Sequence, residues 1–224
     1  MRKIVYISSF LLLGAFLLCG CGFGILNMQK ESSKPVPPSQ SKAVLSETAT
    51  LHPDAIRIEN TSLIIASPFK LGMAKEQPLG ALEPYIKDIV GKIGNDKDIC
   101  IVVNGVSFDT KKIEMETGEI FIPNLEGALT LGLENMKNSS FIKNLQVGSM
   151  QNIKISGLNG KEMHGSCTFI GNRDVTALFR GIACYHGGDM FCVIVFFPKG
   201  DSSSERIVDS VFDSIMVVCH NKKK

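Results

Sequence analysis

The sequence predicts an α+β domain, a mainly antiparallel sheet with helices packed on its faces. Three observations carry that expectation. Between residues 151 and 198 four strand-like runs alternate with glycine- and asparagine-bearing turns. Three other segments, 82–93, 125–137 and 202–215, repeat apolar residues at helical spacing. The composition, 44% hydrophobic and 21% charged over 224 residues, is that of one ordinary globular domain.

The elements follow in chain order. Ile56-Arg57-Ile58-Glu59 alternates and Leu63-Ile64-Ile65-Ala66 is apolar, so the two read as a short hairpin closed off by Ser67-Pro68. Pro84 suits a first helical turn. Leu82, Ile86, Ile89, Val90 and Ile93 then form one apolar face, with Gly94 as the cap that ends a helix. Ile99-Cys100-Ile101-Val102-Val103 has the β-branched content of a buried strand, and 108–115 extends it or returns from it. Residues 119–122 form a further strand candidate, stopped by Pro123. Asn124 caps a helix over 125–137, in which Gly127 and Gly132 each cost about 1 kcal/mol relative to alanine.

The strongest pattern is a four-strand meander. Its strands are 151–156, 161–170, 174–186 and 190–197, and its turns are Gly157 to Gly160, Gly171-Asn172 and Gly187-Gly188. The last strand is apolar on both faces and is therefore expected at the centre of the sheet. Ser202-Ser203-Ser204-Glu205 matches a capping box before a final helix with Ile207, Val208, Val211, Phe212 and Ile215 on its inner face.

The N-terminal segment has a different character. Arg2 and Lys3 precede an apolar run beginning at Ile4, which is the secretory signal pattern. Leu18-Cys19-Gly20-Cys21 resembles the bacterial lipobox, and the resemblance implies cleavage before Cys21 and a diacylglycerol on its thiol. The alternative is an uncleaved anchor over 4–26, since the uncharged run reaches Leu26 and meets the roughly 20 residues a membrane helix needs. Either way the body is extracytoplasmic and held at the bacterial cell membrane by a lipid or a single span. In a cell with two membranes, Gly22 after the lipid cysteine implies the outer one. The expected organisation is a signal peptide over 1–20, a flexible Ser/Pro/Lys linker over 21–54, one α+β domain over 55–218 and a basic tail over 219–224. Prolines 35, 37 and 38 keep part of the linker extended.

Within the body, Ile153-Lys154-Ile155-Ser156-Gly157 with Gly160 and Gly165, the apolar strand from Phe191 to Pro198, and Ile207-Val208-Asp209-Ser210-Val211-Phe212-Asp213-Ser214-Ile215 follow one another. In this order they resemble the PsbP-like and Mog-type family. The family's usual Ser-Phe pair reads Val211-Phe212 in this chain. The resemblance implies an α/β/α sandwich that docks onto other proteins and carries out no reaction. The metal sites of some plant members find no matching residues.

The chemistry of the sequence is sparse. Net charge is +2, and without Arg2 and Lys3 the basic and acidic residues are equal in number. A body with no basic excess argues against nucleic acid as a partner. No phosphate-binding glycine loop, nucleophile elbow or His-Glu-x-x-His is present, so no cofactor is expected.

Of seven cysteines, Cys100, Cys167, Cys184, Cys192 and Cys219 lie beyond the lipobox. Small buried hydrophobes are the expectation for them. A disulfide between Cys184 and Cys192 is the alternative, since a three-residue loop would set them opposite and a two-residue loop would offset them by one. Cys184, His186 and Cys192 are also the candidates for a metal, although three ligands leave a zinc shell one short. Ser166, Cys167 and His164 lack an orienting carboxylate in the local sequence. Asp209 and Asp213 share a face of the last helix, read as solvated.

The functional expectation is a tethered extracytoplasmic domain that binds a protein or envelope component. A metal- or thiol-dependent factor or enzyme, and a small-ligand binder using a pocket between sheet and helix, are the alternatives.

Overall fold

The computed structural model describes residues 50–74, 80–96, 99–138, 142–170 and 174–220. Cys21, the lipobox, residues 21–49 of the expected linker, the Gly171-Asn172 turn and Lys222 to Lys224 lie outside them.

The chain begins with a hairpin, β1 (His52–Ile58) and β2 (Thr61–Ser67), then the two-residue β3 (Gly72–Met73) and a 3-10 turn at Gly80–Tyr85. β4 (Ile86–Asp96) and β5 (Ile99–Phe108) follow, then helices α1 (Thr110–Thr117) and α2 (Leu125–Asn138). The meander is β6 (Ile142–Ile155), β7 (Leu158–Phe169), β8 (Val175–His186) and β9 (Asp189–Pro198). Helix α3 (Ser202–Asp213) and β10 (Met216–Cys219) complete it.

Seven strands form one antiparallel sheet in the order β3-β4-β5-β9-β8-β7-β6, and β1-β2-β10 form a second, smaller one. β9 sits fourth of the seven, where its double-sided apolar sequence placed it. Alternation divides its side chains between two cores: Met190, Cys192, Ile194 and Phe196 point to one, Phe191, Val193, Val195 and Phe197 to the other. The first core is closed by α2, which packs across β6, β7 and β8 through Ala128, Leu129 and Leu133. The second is closed by α3 and by the small sheet, whose β1 lies against β4 and β5. The α+β class and the helices on both faces are as the sequence predicted. The small sheet beside α3 is an added element of that layer, and β10 was not anticipated.

Four local expectations are corrected. Residues 82–93 form no α-helix: 82–85 complete the 3-10 turn and 86–93 are strand. A bulge between Ile86 and Asp88 adds one residue to β4, so Ile86 and Ile89 face the same way, and Ile93 joins them by ordinary alternation. A spacing of three and then four thus imitates a helical stripe. Gly94 is inside the strand, where a Cβ would come within 2.8 Å of the Phe69 ring. Residues 110–117 form α1 rather than strand, because the Asp109 side chain accepts from the Lys112 amide at 3.2 Å and Gly118 closes the helix at φ 74°. Residues 119–122 pair with no strand. Phe121 instead plugs the α2-side core, 4.9 Å from the Phe108 ring, while Ile120 and Ile122 remain exposed. The cap of α3 is Asp201, not a serine of the capping box: its carboxylate accepts from the Ser203 amide at 3.0 Å and from the Ser204 hydroxyl at 2.6 Å.

The meander's hairpins are tighter than expected. Ser156 (φ 50°) and Gly157 (φ 83°) make a two-residue turn, so β7 begins at Leu158 and Gly160 lies within the strand. Gly187 (φ 59°) and Gly188 (φ 106°) turn β8 into β9 in the same way. α2 starts as predicted: Asn124 Oδ1 accepts from the Gly127 amide at 2.9 Å, and a Cβ on Gly127 would meet that same side chain at 2.7 Å.

Candidate functional site

The α3 side of the large sheet carries charge into the interior. Glu162 on β7 and Arg180 on β8 stand on this face, beside Ile182. Glu162 is buried, and its Oε1 accepts from Arg180 Nε at 2.6 Å while Gln151 of β6 donates to Oε2. His164 Nε2 stands 3.5 Å from the same carboxylate. Arg180 continues outward: its second nitrogen donates to Asp209 of α3 at 3.2 Å, and its guanidinium lies 4.2 Å from the Phe212 ring centre. Burial works against the Glu162 charge. The bonds from Gln151 and Arg180, the Arg180 charge and His164 outweigh it and hold the carboxyl below its ordinary range.

Where α3 ends, this network borders a groove of about 300 Å³. Ile155, Ile182, Phe212 and Ile215 supply its apolar lining, and Lys154, Ser156, Glu162, Arg180 and Asp213 its polar one. It lies between sheet and helix. The groove therefore combines an apolar surface with the Glu162–Arg180 ion pair; Arg180 also reaches Asp209, and Lys154 donates to the neutral Asn159 Oδ1 at 2.5 Å.

A second polar cluster joins the two sheets. Asp189, 1% exposed at the start of β9, accepts from Thr61 Oγ at 2.7 Å and from the Asn60 amide at 3.2 Å. Its other oxygen, Oδ1, has no hydrogen-bond partner among the described residues. Ser62 and His220 meet at 2.8 Å on the same small sheet.

The cysteine and histidine candidates are not brought together. The two-residue turn pairs Cys184 with Phe191 and Cys192 with Ala183, the offset by one. The two thiols consequently belong to opposite cores, Cys184 to the α3 side and Cys192 to the α2 side. Cys184 is a free thiol whose burial raises it to about 12. His186 is exposed at the strand end. Among the described residues no group of three or more metal-ligating side chains converges. Cys167 is likewise buried and raised to about 12, while His164 faces the other way. A carboxylate does lie beside that histidine, Glu162, but on the face away from Cys167. Asp209 and Asp213 are both exposed, as read from the sequence; Asp209 also accepts from Arg180, and Asp213 lies at the groove.

Glu162 and Arg180 were missed in the sequence. The signal was partial: Arg180 stands between the apolar Leu178 and Ile182 on the inward parity of β8, whereas the same parity of β7 around Glu162 holds Gly160, His164 and Ser166.

As a class, this is an antiparallel α+β sandwich with a paired-charge groove under its last helix. No protein-family model and no curated protein matches the chain. Solved structures do match. The solution structure of cyanobacterial PsbP (CyanoP) from Synechocystis sp. PCC 6803 is 11% identical, with 80% of this chain and 98% of that one covered and a TM-score of 0.46. LpqN, involved in cell envelope biogenesis of Mycobacterium tuberculosis, is 10% identical over 75% of this chain and 91% of its own, at a TM-score of 0.39. PA94 from Pseudomonas aeruginosa, of unknown function, is 8% identical over 73% and 94%, at 0.33. At these identities and TM-scores the likenesses say nothing about activity.

Proposed function

We propose that the chain is a lipoprotein tethered through Cys21 on the outside of a bacterial membrane, whose body binds a protein or envelope component through the groove between α3 and β6–β8 and carries out no reaction of its own. The observation that carries the binding reading is the groove's makeup. Glu162 and Arg180 hold each other in place beside an apolar surface on which Lys154 and Asp213 also open, the pattern of a recognition surface that matches a partner's charges. β6 adds to this as the outer strand of the sheet, with its last residues lining the groove. The tether is supported by the lipobox-like sequence.

The test is photocrosslinking in the native host from a reactive residue placed at Asp213, with Met115 on the far side of the large sheet as control. A discrete adduct from position 213 and none from 115 is the expected result. Equal adducts from both positions, or none from either, would reject the groove as the recognition surface.

The groove's volume favours a second reading, a small ligand, since about 300 Å³ is at the lower end of ligand pockets. A saturable thermal shift with a metabolite, abolished by Arg180→Met, would establish it in place of the first.

A further inference from the structure

The seven-stranded sheet ends on a free edge. β6 pairs with β7 alone, and among the described residues no strand pairs with its outer side. An open edge presents a row of N–H and C=O groups, and proteins commonly blunt it with bulges and lysines. β6 is blunted unevenly. Its two register shifts lie between Lys143 and Gln146 and between Val147 and Met150. From Met150 to Ile155 it pairs residue for residue with Met163 to Leu158. The regular stretch is the one whose last residues line the groove.

The hairpin fixes which backbone groups face outward. Ser156 and Gly157 both have positive φ, 50° and 83°, so Ile155 and Leu158 close a two-residue turn as a hydrogen-bonded pair. Counting back along the strand, Ile153 and Gln151 also bond to β7, while the amides and carbonyls of Lys154, Asn152 and Met150 point to the free edge. The side chains of Ile153 and Ile155 join the α3-side core, and those of Asn152 and Lys154 are exposed. Both Lys154 and Ile155 line the groove, which therefore opens on the strand's edge as well as on its face. β6 carries Lys143 and Lys154 and no carboxylate. Lys143 is held by Asp174, whereas Lys154 donates to the neutral Asn159 Oδ1 at 2.5 Å.

We propose that a protein partner adds an extended segment to β6 as a further strand along Met150 to Ile155, with an acidic residue opposite Lys154 and an apolar residue on either side of it. The proposal rests on the groove being the recognition surface. Backbone bonds to Asn152 and Lys154 supply the pairing. Partner residues opposite Ile153 and Ile155 share the face of these two side chains, and so enter the groove beside Ile182, Phe212 and Ile215. The residue between them points the other way, where its carboxylate meets the Lys154 ammonium.

The probe is an end-blocked peptide, threonine-valine-glutamate-valine-threonine, which presents the same pattern in either strand direction. It is added to the full-length protein in detergent, and amide exchange and chemical shifts are read residue by residue. The expected result is saturable exchange protection at Asn152 and Lys154 with shifts at Ile182 and Ile215, and loss of both when lysine replaces the glutamate. Asn152→Pro removes one outward amide and leaves the β6–β7 bonds in place, so it should abolish the response at unchanged Tm. Lys154→Glu, at an exposed side chain, should abolish it independently and respond to the lysine peptide instead. Groove shifts without protection at 152 and 154 would overturn strand addition and leave the groove reading standing. So would no response to the peptide while a reactive residue at Asp213 still yields its adduct in the host. Equal protection by both peptides would overturn the acidic residue, and protection that grows with protein concentration alone would give the edge to a second copy of the chain. Neither a peptide response nor an adduct would overturn both readings.

Discussion

The two faces of the seven-stranded sheet are built from alternate residues of the same strands and solve different problems. The face under α2 is closed by apolar side chains, among them Leu129, Leu133, Met163, Phe179 and Phe196, each 1% exposed or less, and encloses no buried carboxylate among the described residues. The face under α3 and the small sheet encloses both buried carboxylates among the described residues, Glu162 and Asp189, together with the groove. A buried charge costs stability unless it is paired. Among the described residues, buried carboxylates lie on one side alone.

That contrast can be broken by mutation. The largest effect is expected at Gly165→Ala on the α2 side, where a Cβ would stand 2.3 Å from the Gln146 carbonyl oxygen and 2.3 Å from the Phe179 ring. Neither neighbour can yield without shifting the β6–β7 pairing, so a loss of about 3 kcal/mol or more in denaturant unfolding is expected. Leu129→Ala, at a fully buried position, should cost about 2–5 kcal/mol in the same measurement.

On the α3 side, Arg180→Met should cost about 1–3 kcal/mol, because it leaves the Glu162 carboxylate with fewer partners. This loss should depend on pH. The folded-state value of Glu162 lies below the ordinary 4.5, so its stabilisation is present above 4.5 and disappears as pH falls through the folded value. Thermal melts of wild type and Arg180→Met should therefore converge in acid.

Asp201 has the same sign: bonds from Ser204 and Ser203 lower it from 3.8 to about 2. Asp201→Ala should lower Tm above pH 3.8, by an amount that shrinks as pH falls from 3.8 toward about 2. The smallest effect concerns the thiols. Native alkylation near pH 8 should modify the exposed Cys219 and spare the buried Cys167 and Cys184, leaving Tm unchanged. Modification of Cys184 in the folded protein would mean that the α3 side opens.

The meander, its central strand and the two long helices were legible because hairpin turns and apolar periods are local signals. β4 was not, since its bulge gave a strand the spacing of a helix, and only the paired glycines 91 and 94 spoke for close-packed strand. α1 was missed because its cap, Asp109, stands directly after an apolar strand and reads as part of it. At the site, Asp209 and Asp213 were noticed as a pair but assigned to solvent. Arg180, the partner of Asp209, comes from β8, and only the strand order brings β8 beneath α3. The offset of Cys184 and Cys192 turned on one residue of loop length, which the sequence left open.

Among the described residues no helix is long and apolar enough to cross a membrane. The proposed tether rests on the lipobox-like Leu18-Cys19-Gly20-Cys21. Intact mass of the protein extracted from membranes of a lipoprotein-competent host tests it directly. The account expects a chain beginning at Cys21 and carrying acyl chains. A chain beginning at Met1 without lipid would replace the lipid by a single span, and an unlipidated chain cleaved beyond the apolar segment would contradict the account.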